Sequence, residues 1–230
     1  MQLECEIWGD ISSREMQMLK MRLIILAAPG AGKGTQAENL SKHFGIPTIS
    51  TGAILRKNIA DKTELGAIAK RYIDDGKFVP DNVMIDIVRD RLHEDDCKDG
   101  FILDGFPRNL KQAEVLEDSD IDIDKVLTIE VEDRKIIERL SGRLECKKCG
   151  STYHKQYRIP KKDGVCDNCG GELTTRADDR PEVVTSRLET YHEQTEPLKD
   201  FYKKRGILRT AIGQEEIKDT TAAVLDALKD

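Results

Sequence analysis

A chain of 230 residues that is 38% hydrophobic and 35% charged carries enough apolar content for one main domain with room for an insertion, which excludes a wholly disordered chain. Its net charge of −6 is the wrong sign for a protein whose main partner is a nucleic-acid backbone. No stretch approaches the ~20 apolar residues of a membrane-spanning helix, and the first twenty residues lack the apolar core of a secretory leader, so the cytoplasm is the expected compartment.

In chain order, residues 1–20 show no periodicity. They read as a disordered extension, as sequence upstream of a start at Met21, or as an ordinary tail; Trp8, the sole tryptophan, falls here. The apolar run Leu23 to Leu26 predicts a buried parallel strand. A glycine-rich turn follows, and then "KGTQAENLSKHFG" shows helical spacing with Gly45 as its C-cap. "PDNVMIDIVRDRLHED" reads as a helix whose apolar face is Val83, Ile85, Ile87 and Val88, while "FILDGFP" and "KVLTIEV" read as further buried strands. From Gly142 to Asp179 the composition turns polar, glycine-rich and cysteine-paired, as an inserted subdomain would. Two helices close the chain, one in "RPEVVTSRLETYHEQTEPLKDFYKKRG" and one at the C-terminus. Alternating strand and helix predicts an α/β fold with a mostly parallel sheet.

The turn "AAPGAGKGT" departs twice from the general phosphate-loop pattern G-x-x-x-x-G-K-[ST]. Ala27 stands at the first glycine, and Gly34 separates Lys33 from the hydroxyl of Thr35. The chemistry still fits: Gly30, Gly32 and Gly34 permit close backbone approach to phosphate oxygens, and Lys33 adds a mobile positive charge. If residue 27 needed a positive φ, alanine would cost ~1–2 kcal/mol; with a negative φ, its methyl matters only where it touches the loop.

Cys146, Cys149, Cys166 and Cys169 are spaced C-x2-C-x16-C-x2-C, within the range of a four-thiolate zinc site. Such a site is closed to water and therefore structural, and it stands in for the core that a small insert cannot build. A redox dithiol or a disulfide pair is the alternative. Cys5 and Cys97 belong to no paired motif. His154 is expected to pack in the insert rather than to ligate.

"PGAGKGTQA" resembles the nucleoside monophosphate kinases, where G-K-G-T is the variant loop, and the resemblance is closest to the adenylate kinases. It runs from Met21 onward through five segments in order. It implies a three-layer P-loop kinase fold with a parallel central sheet, a helical acceptor-binding insert and a zinc-ribbon-like lid. The implied division is core at 21–49, the acceptor-binding insert at 50–79, core at 80–141, lid at 142–179 and core again at 180–230.

The activity implied is reversible phosphoryl transfer from MgATP to AMP, giving two ADP. For ATP the resemblance implies Gly30, Ala31, Gly32, Lys33, Gly34 and Thr35 on the phosphates, and Arg139 stacked on the base with Glu215 beside it. Arg143 would contact the ATP phosphates, with Thr152 and Tyr153 nearby. For AMP it implies Thr51, Arg56, the backbone of Lys77, Phe78 and Val79, and "GFPR" at Gly105, Phe106, Pro107 and Arg108. Gln112 would read the adenine edge, and Arg176 and Arg187 would close between the nucleotides.

Asp104 is implied to hold Mg²⁺, usually through water, and Asp178 and Asp179 to orient the arginines or tie the hinge. The transfer itself would rest on Lys33, Asp104, Arg108, Arg143, Arg176 and Arg187. Ala53 and Leu144 depart from the family's common residues. A monomer is expected, with no nucleic-acid or membrane partner. A kinase for another nucleoside monophosphate, a nucleotide-binding homologue impaired at Ala27, and a nucleic-acid-binding protein using the zinc knuckles are the competing readings.

Overall fold

The computed structural model describes residues 21–119 and 121–229. The expectations for the N-terminal extension, Trp8 and Cys5 fall outside the described residues.

Strand β1 (Met21–Ala27) is buried along nearly its whole length and lies at the centre of a sheet ordered β2-β3-β1-β4-β8. Its partners β2 (Thr48–Ser50), β3 (Gly100–Asp104), β4 (Lys125–Glu130) and β8 (Leu208–Ile212) all pair in parallel. A parallel sheet needs crossovers, and the crossover helices cover both faces, so central strands read as unbroken apolar runs. Successive β1 residues serve opposite layers. Ile24 and Leu26 join a core with Leu55, Met84, Val88, Leu116 and Leu198. Leu23, Ile25 and Ala27 join the other, with Ala37, Leu40 and Val224.

The helices beneath those residues are α1 (Lys33–Phe44), α2 (Thr51–Ala60), α3 (Glu64–Ile73), α4 (Asp81–Leu92), α5 (Leu110–Glu117) and α6 (Asp133–Ser141). After them come α7 (Pro181–Thr190), α8 (Leu198–Lys204) and α9 (Ile217–Ala227). Helix α1 stops at Phe44 with Gly45 as its left-handed C-cap, as the sequence predicts. In α4 the fully buried residues are Met84 and Val88; Val83, Ile85 and Ile87 are only partly buried against the same core. The predicted apolar face thus meets the core, and Met84, which the prediction left out, lies deepest with Val88.

The chain end differs more. The first of the two expected helices is broken into α7, a π turn over Tyr191–Thr195 and the separate helix α8, and the edge strand β8 stands between it and the last helix. Only Ala211 of β8 is buried, so the strand lacks the apolar run by which its neighbours announce themselves. The polar segment forms its own small antiparallel sheet, β6-β5-β7, from β5 (Arg143–Cys146), β6 (Thr152–His154) and β7 (Leu173–Thr174). Its core is Cys146, Tyr153, Cys166 and Leu173, with Leu144 and Cys169 packed alongside.

Candidate active site

Residues 28–32 make the turn from β1 into α1. Gly32 caps α1 with φ +98° and no side-chain hydrogen bond, and a Cβ built there would meet nothing within 4 Å. An uncapped helix N-terminus opening onto free space is an anion cradle. Lys62 is the only positive-φ residue besides glycine among the described residues, so Ala27 carries no left-handed strain. Its methyl lies in the sheet core, and the departure from the loop pattern is absorbed by the strand.

The β1–β3 register sets Asp104 opposite Ile25, at the carboxyl end of the sheet where open α/β folds bind ligands. Lys33 Nζ lies 2.8 Å from Asp104 Oδ1, both side chains largely buried. Burial pushes the Lys33 ammonium below its ordinary pKa, against the pull of Asp104. Burial would also raise the Asp104 carboxyl, but Lys33, with help from Ser50 and Arg108, holds that group below the ordinary carboxylate range. The Asp104 carboxyl is therefore ionised at neutral pH.

The arginines gather around this pair. Arg108 Nε donates to the Gly105 carbonyl at 2.8 Å, and its backbone N–H donates to Gln112 Oε1 at 2.8 Å. Its carbonyl accepts from Thr195 Oγ1 at 2.8 Å, and its guanidinium stands 4.9 Å from the Phe78 ring centroid. Burial lowers Arg108 to about 10, which leaves it charged at neutral pH. Arg143 Nε donates to Asp179 Oδ2 at 2.7 Å. Arg187 pairs with Asp178 at 3.0 Å and Asp179 at 3.3 Å, so the two aspartates do orient arginines. Arg56 and Arg176 both reach Glu145. Arg139 Nη2 donates to the Gln214 carbonyl at 2.6 Å, tying α6 to the loop that carries Glu215. His154 packs as expected: Nδ1 accepts from the Gln156 and Tyr157 amides while Nε2 meets the Arg139 carbonyl at 3.0 Å.

Two cavities open here. The larger, about 470 Å³, is lined by Gly30, Ala31, Gly32, Lys33, Gly34, Thr35, Arg139, Arg143, Thr152, Tyr153 and Glu215, every residue for which the sequence suggests ATP contact. Arg176 lines it as well. The smaller is lined by Arg56, Lys77, Phe78, Val79, Gly105, Pro107, Arg108, Gln112 and Arg187. Thr51 and Phe106 do not line it. Thr51 is buried, with its hydroxyl on the Gly105 carbonyl at 2.9 Å, and Phe106 lies in the sheet core. Lys33, Arg56, Arg108 and Arg187 line both cavities.

Sequence reasoning missed Glu38, whose carboxylate meets Arg158 at 3.2 Å, and Thr195 behind Arg108. Each pairs with a group far away in sequence, and neither carries a motif.

The Sγ atoms of Cys146, Cys149, Cys166 and Cys169 all lie within 4.8 Å of one another. Cys146–Cys169 and Cys149–Cys166 are 3.5 and 3.6 Å apart, near the ~3.8 Å edge of a tetrahedron with Zn–S bonds of about 2.3 Å. The four thiols fit a zinc ion. No helix among the described residues is long and apolar enough to cross a membrane.

Comparison with known proteins agrees with this geometry. The adenylate kinase family model matches residues 25–207. The adenylate kinase of Caldicellulosiruptor saccharolyticus is 62% identical over 212 residues, covering 90% of this chain and 99% of the relative. Those of Acetivibrio thermocellus and Methanosarcina barkeri are 54% and 50% identical, each over at least 90% of this chain and 98% of the relative.

Proposed function

The chain belongs to the adenylate kinase family, a family of phosphotransferases, and from that premise we propose how its own residues carry out transfer from MgATP to AMP. The larger cavity takes ATP and the smaller takes AMP. The observation that carries this is the shared wall: Lys33, Arg56, Arg108 and Arg187 face both cavities. Transfer between two bound nucleotides requires a cationic patch where their phosphates meet.

In this reading the amides of residues 30–35 cradle the ATP phosphates, and Lys33 exchanges its partner Asp104 for a phosphate oxygen. Released from Lys33, the ionised Asp104 would hold Mg²⁺, usually through water, as a carboxylate suits a hard cation; when bound, that ion would supply positive charge against the negative charge that develops in transfer. Arg108, Arg143, Arg176 and Arg187 stabilise the same charge, so catalysis rests on positioning and electrostatics rather than on a general base. Arg56 and Arg108 grip the AMP phosphate, and Gln112 faces its base, its amide oriented by the Arg108 N–H and by Asp81 Oδ1 at 2.7 Å.

The segments 50–79 and 142–179 act as acceptor-binding insert and lid, closing on the core to exclude water. Cys146, Cys149, Cys166 and Cys169 hold a structural Zn²⁺ within the lid. We further propose a cytoplasmic monomer that binds neither nucleic acid nor membrane. The test is turnover with MgATP against AMP, GMP, CMP and UMP in parallel. Strong turnover with AMP alone is expected; preference for another acceptor would move the substrate assignment, and turnover with none would overturn it.

A further inference from the structure

Glu145 stands where neither the phosphate loop nor the cysteine motif requires a carboxylate. It occupies the central strand of the lid sheet, paired with Thr152 of β6 and Thr174 of β7, so its backbone is fixed on both sides. Its side chain is 14% exposed, and its two oxygens serve two different guanidiniums: Oε1 lies 3.2 Å from Arg56 Nε, and Oε2 pairs with Arg176. Arg56 projects from α2 in the acceptor-binding insert, whereas Arg176 follows β7 at the base of the lid. One carboxylate therefore links the two mobile parts.

Electrostatics gives this link a purpose. Arg56 and Arg176 repel each other across a largely buried space, with Arg143 adding to the repulsion. An anion between them offsets that repulsion before any nucleotide phosphate arrives. The contact to Arg56 is on Nε, behind the terminal fork of the guanidinium. Arg56 lines the smaller cavity, and a fork held from behind meets phosphate bidentately with less ordering to do on binding.

We propose that Glu145 is a positioning residue for the acceptor phosphate: from the closed lid it holds Arg56 in register with Arg176 so that AMP meets a preassembled pair of guanidiniums. The inference rests on reading Arg56 as an acceptor-phosphate ligand. Glu145 touches neither nucleotide and acts only through the arginines.

The experiment uses the zinc-loaded full chain carrying Glu145→Gln, which keeps the shape and removes the charge, with zinc content and Tm measured alongside. The AMP KM should rise about three- to tenfold, as expected for loss of a partly buried charged contact, while the ATP KM moves by less than about twofold. A purely structural role would lower Tm and the active fraction and leave the two KM values in their original ratio. Arg56→Ala should raise the AMP KM as well, and the double variant should add nothing to it, because the carboxylate acts through that arginine.

Three results would overturn the proposal. An unchanged AMP KM in E145Q beside a raised one in R56A removes the positioning role alone. An unchanged AMP KM in R56A removes the acceptor reading and the proposal together. A lower AMP KM in E145Q would make the carboxylate a competitor of the phosphate rather than its organiser.

Discussion

Lys33 and Asp104 form a pair whose consequences differ for chemistry and for stability. Removing the ammonium in Lys33→Met takes a positive charge from the transferring phosphoryl group, and kcat should fall by about 10²–10³-fold. It also leaves a buried carboxylate without its main partner. In the wild type Asp104 has a folded-state pKa below its ordinary value, so its contribution to stability is present above the unfolded-state pKa and is lost as pH falls through the folded one. In the variant only Ser50 and Arg108 remain to oppose burial, so that pKa should be higher than in the wild type. The Tm gap between wild type and Lys33→Met should therefore be widest near pH 7 and shrink as pH approaches about 4. A gap independent of pH would show that the pair is not ionised.

Gly105 gives a second test at this scale. It sits at φ +87°, and an added Cβ would come within 2.8 Å of Thr51 Oγ1 and 3.0 Å of Arg108 Nη2. Gly105→Ala should cost about 1–2 kcal/mol from the backbone alone. Because the clash displaces Arg108, the AMP KM should also rise, while an exposed alanine substitution of equal thermal cost leaves it unchanged.

At the scale of elements, legibility follows burial. Strands β1, β3 and β4 are buried on both faces and print as apolar runs, so the sequence locates them and the glycine turn after the first. Strand β2 has three residues, and β8 hides among partly exposed ones; their pairing comes from the sheet edge, which no local pattern records. The π turn Tyr191–Thr195 is illegible for the same reason. What it provides is a hydroxyl on the Arg108 carbonyl, 87 residues away.

That turn also carries His192, which lies 2.8 Å from Glu196 Oε2 and 3.0 Å from Asp133 Oδ2 at the start of α6. The two carboxylates raise its pKa. The stability it contributes is full below the ordinary histidine pKa and is lost as pH rises through the folded-state value. His192→Ala should thus lower Tm at pH 6 and converge with the wild type in mildly alkaline buffer.

The cysteine sheet behaves as a separate element. Its core shares no residue with the three clusters around the main sheet. Chelation of the proposed zinc should abolish amide-exchange protection across 146–174 and leave that of β1 and β4 in place, with turnover lost. Equal loss of protection in both regions would mean that the metal holds the whole chain together.

Over the whole molecule, the proposed lid meets the core through polar ties, and one of them is open to direct measurement. Arg158 of the lid pairs with Glu38 on α1 at 3.2 Å, and its guanidinium lies 5.3 Å from the Tyr153 ring centroid. Both partners are about a third exposed, so the pair is solvent-screened and worth no more than about 1 kcal/mol. That still matters, because closure is an equilibrium between states separated by only a few kcal/mol. Arg158→Ala should shift it toward the open form by roughly twofold to fivefold. A fluorophore pair on lid and core would show the lower closed fraction directly, and the ATP KM should rise by the same factor while the AMP KM moves less. Where lid opening limits turnover, kcat should rise slightly rather than fall.

Glu38→Gln breaks the same tie from the core side and should reproduce these effects, and the double variant should add little to either. Additive losses would separate the two side chains energetically and assign Arg158 its effect through Tyr153. The contrast with Glu145 is then geometric. Glu38 faces the larger cavity, whereas Glu145 meets Arg56, which also lines the smaller one, so the two carboxylates should divide the cost of closure between ATP and AMP.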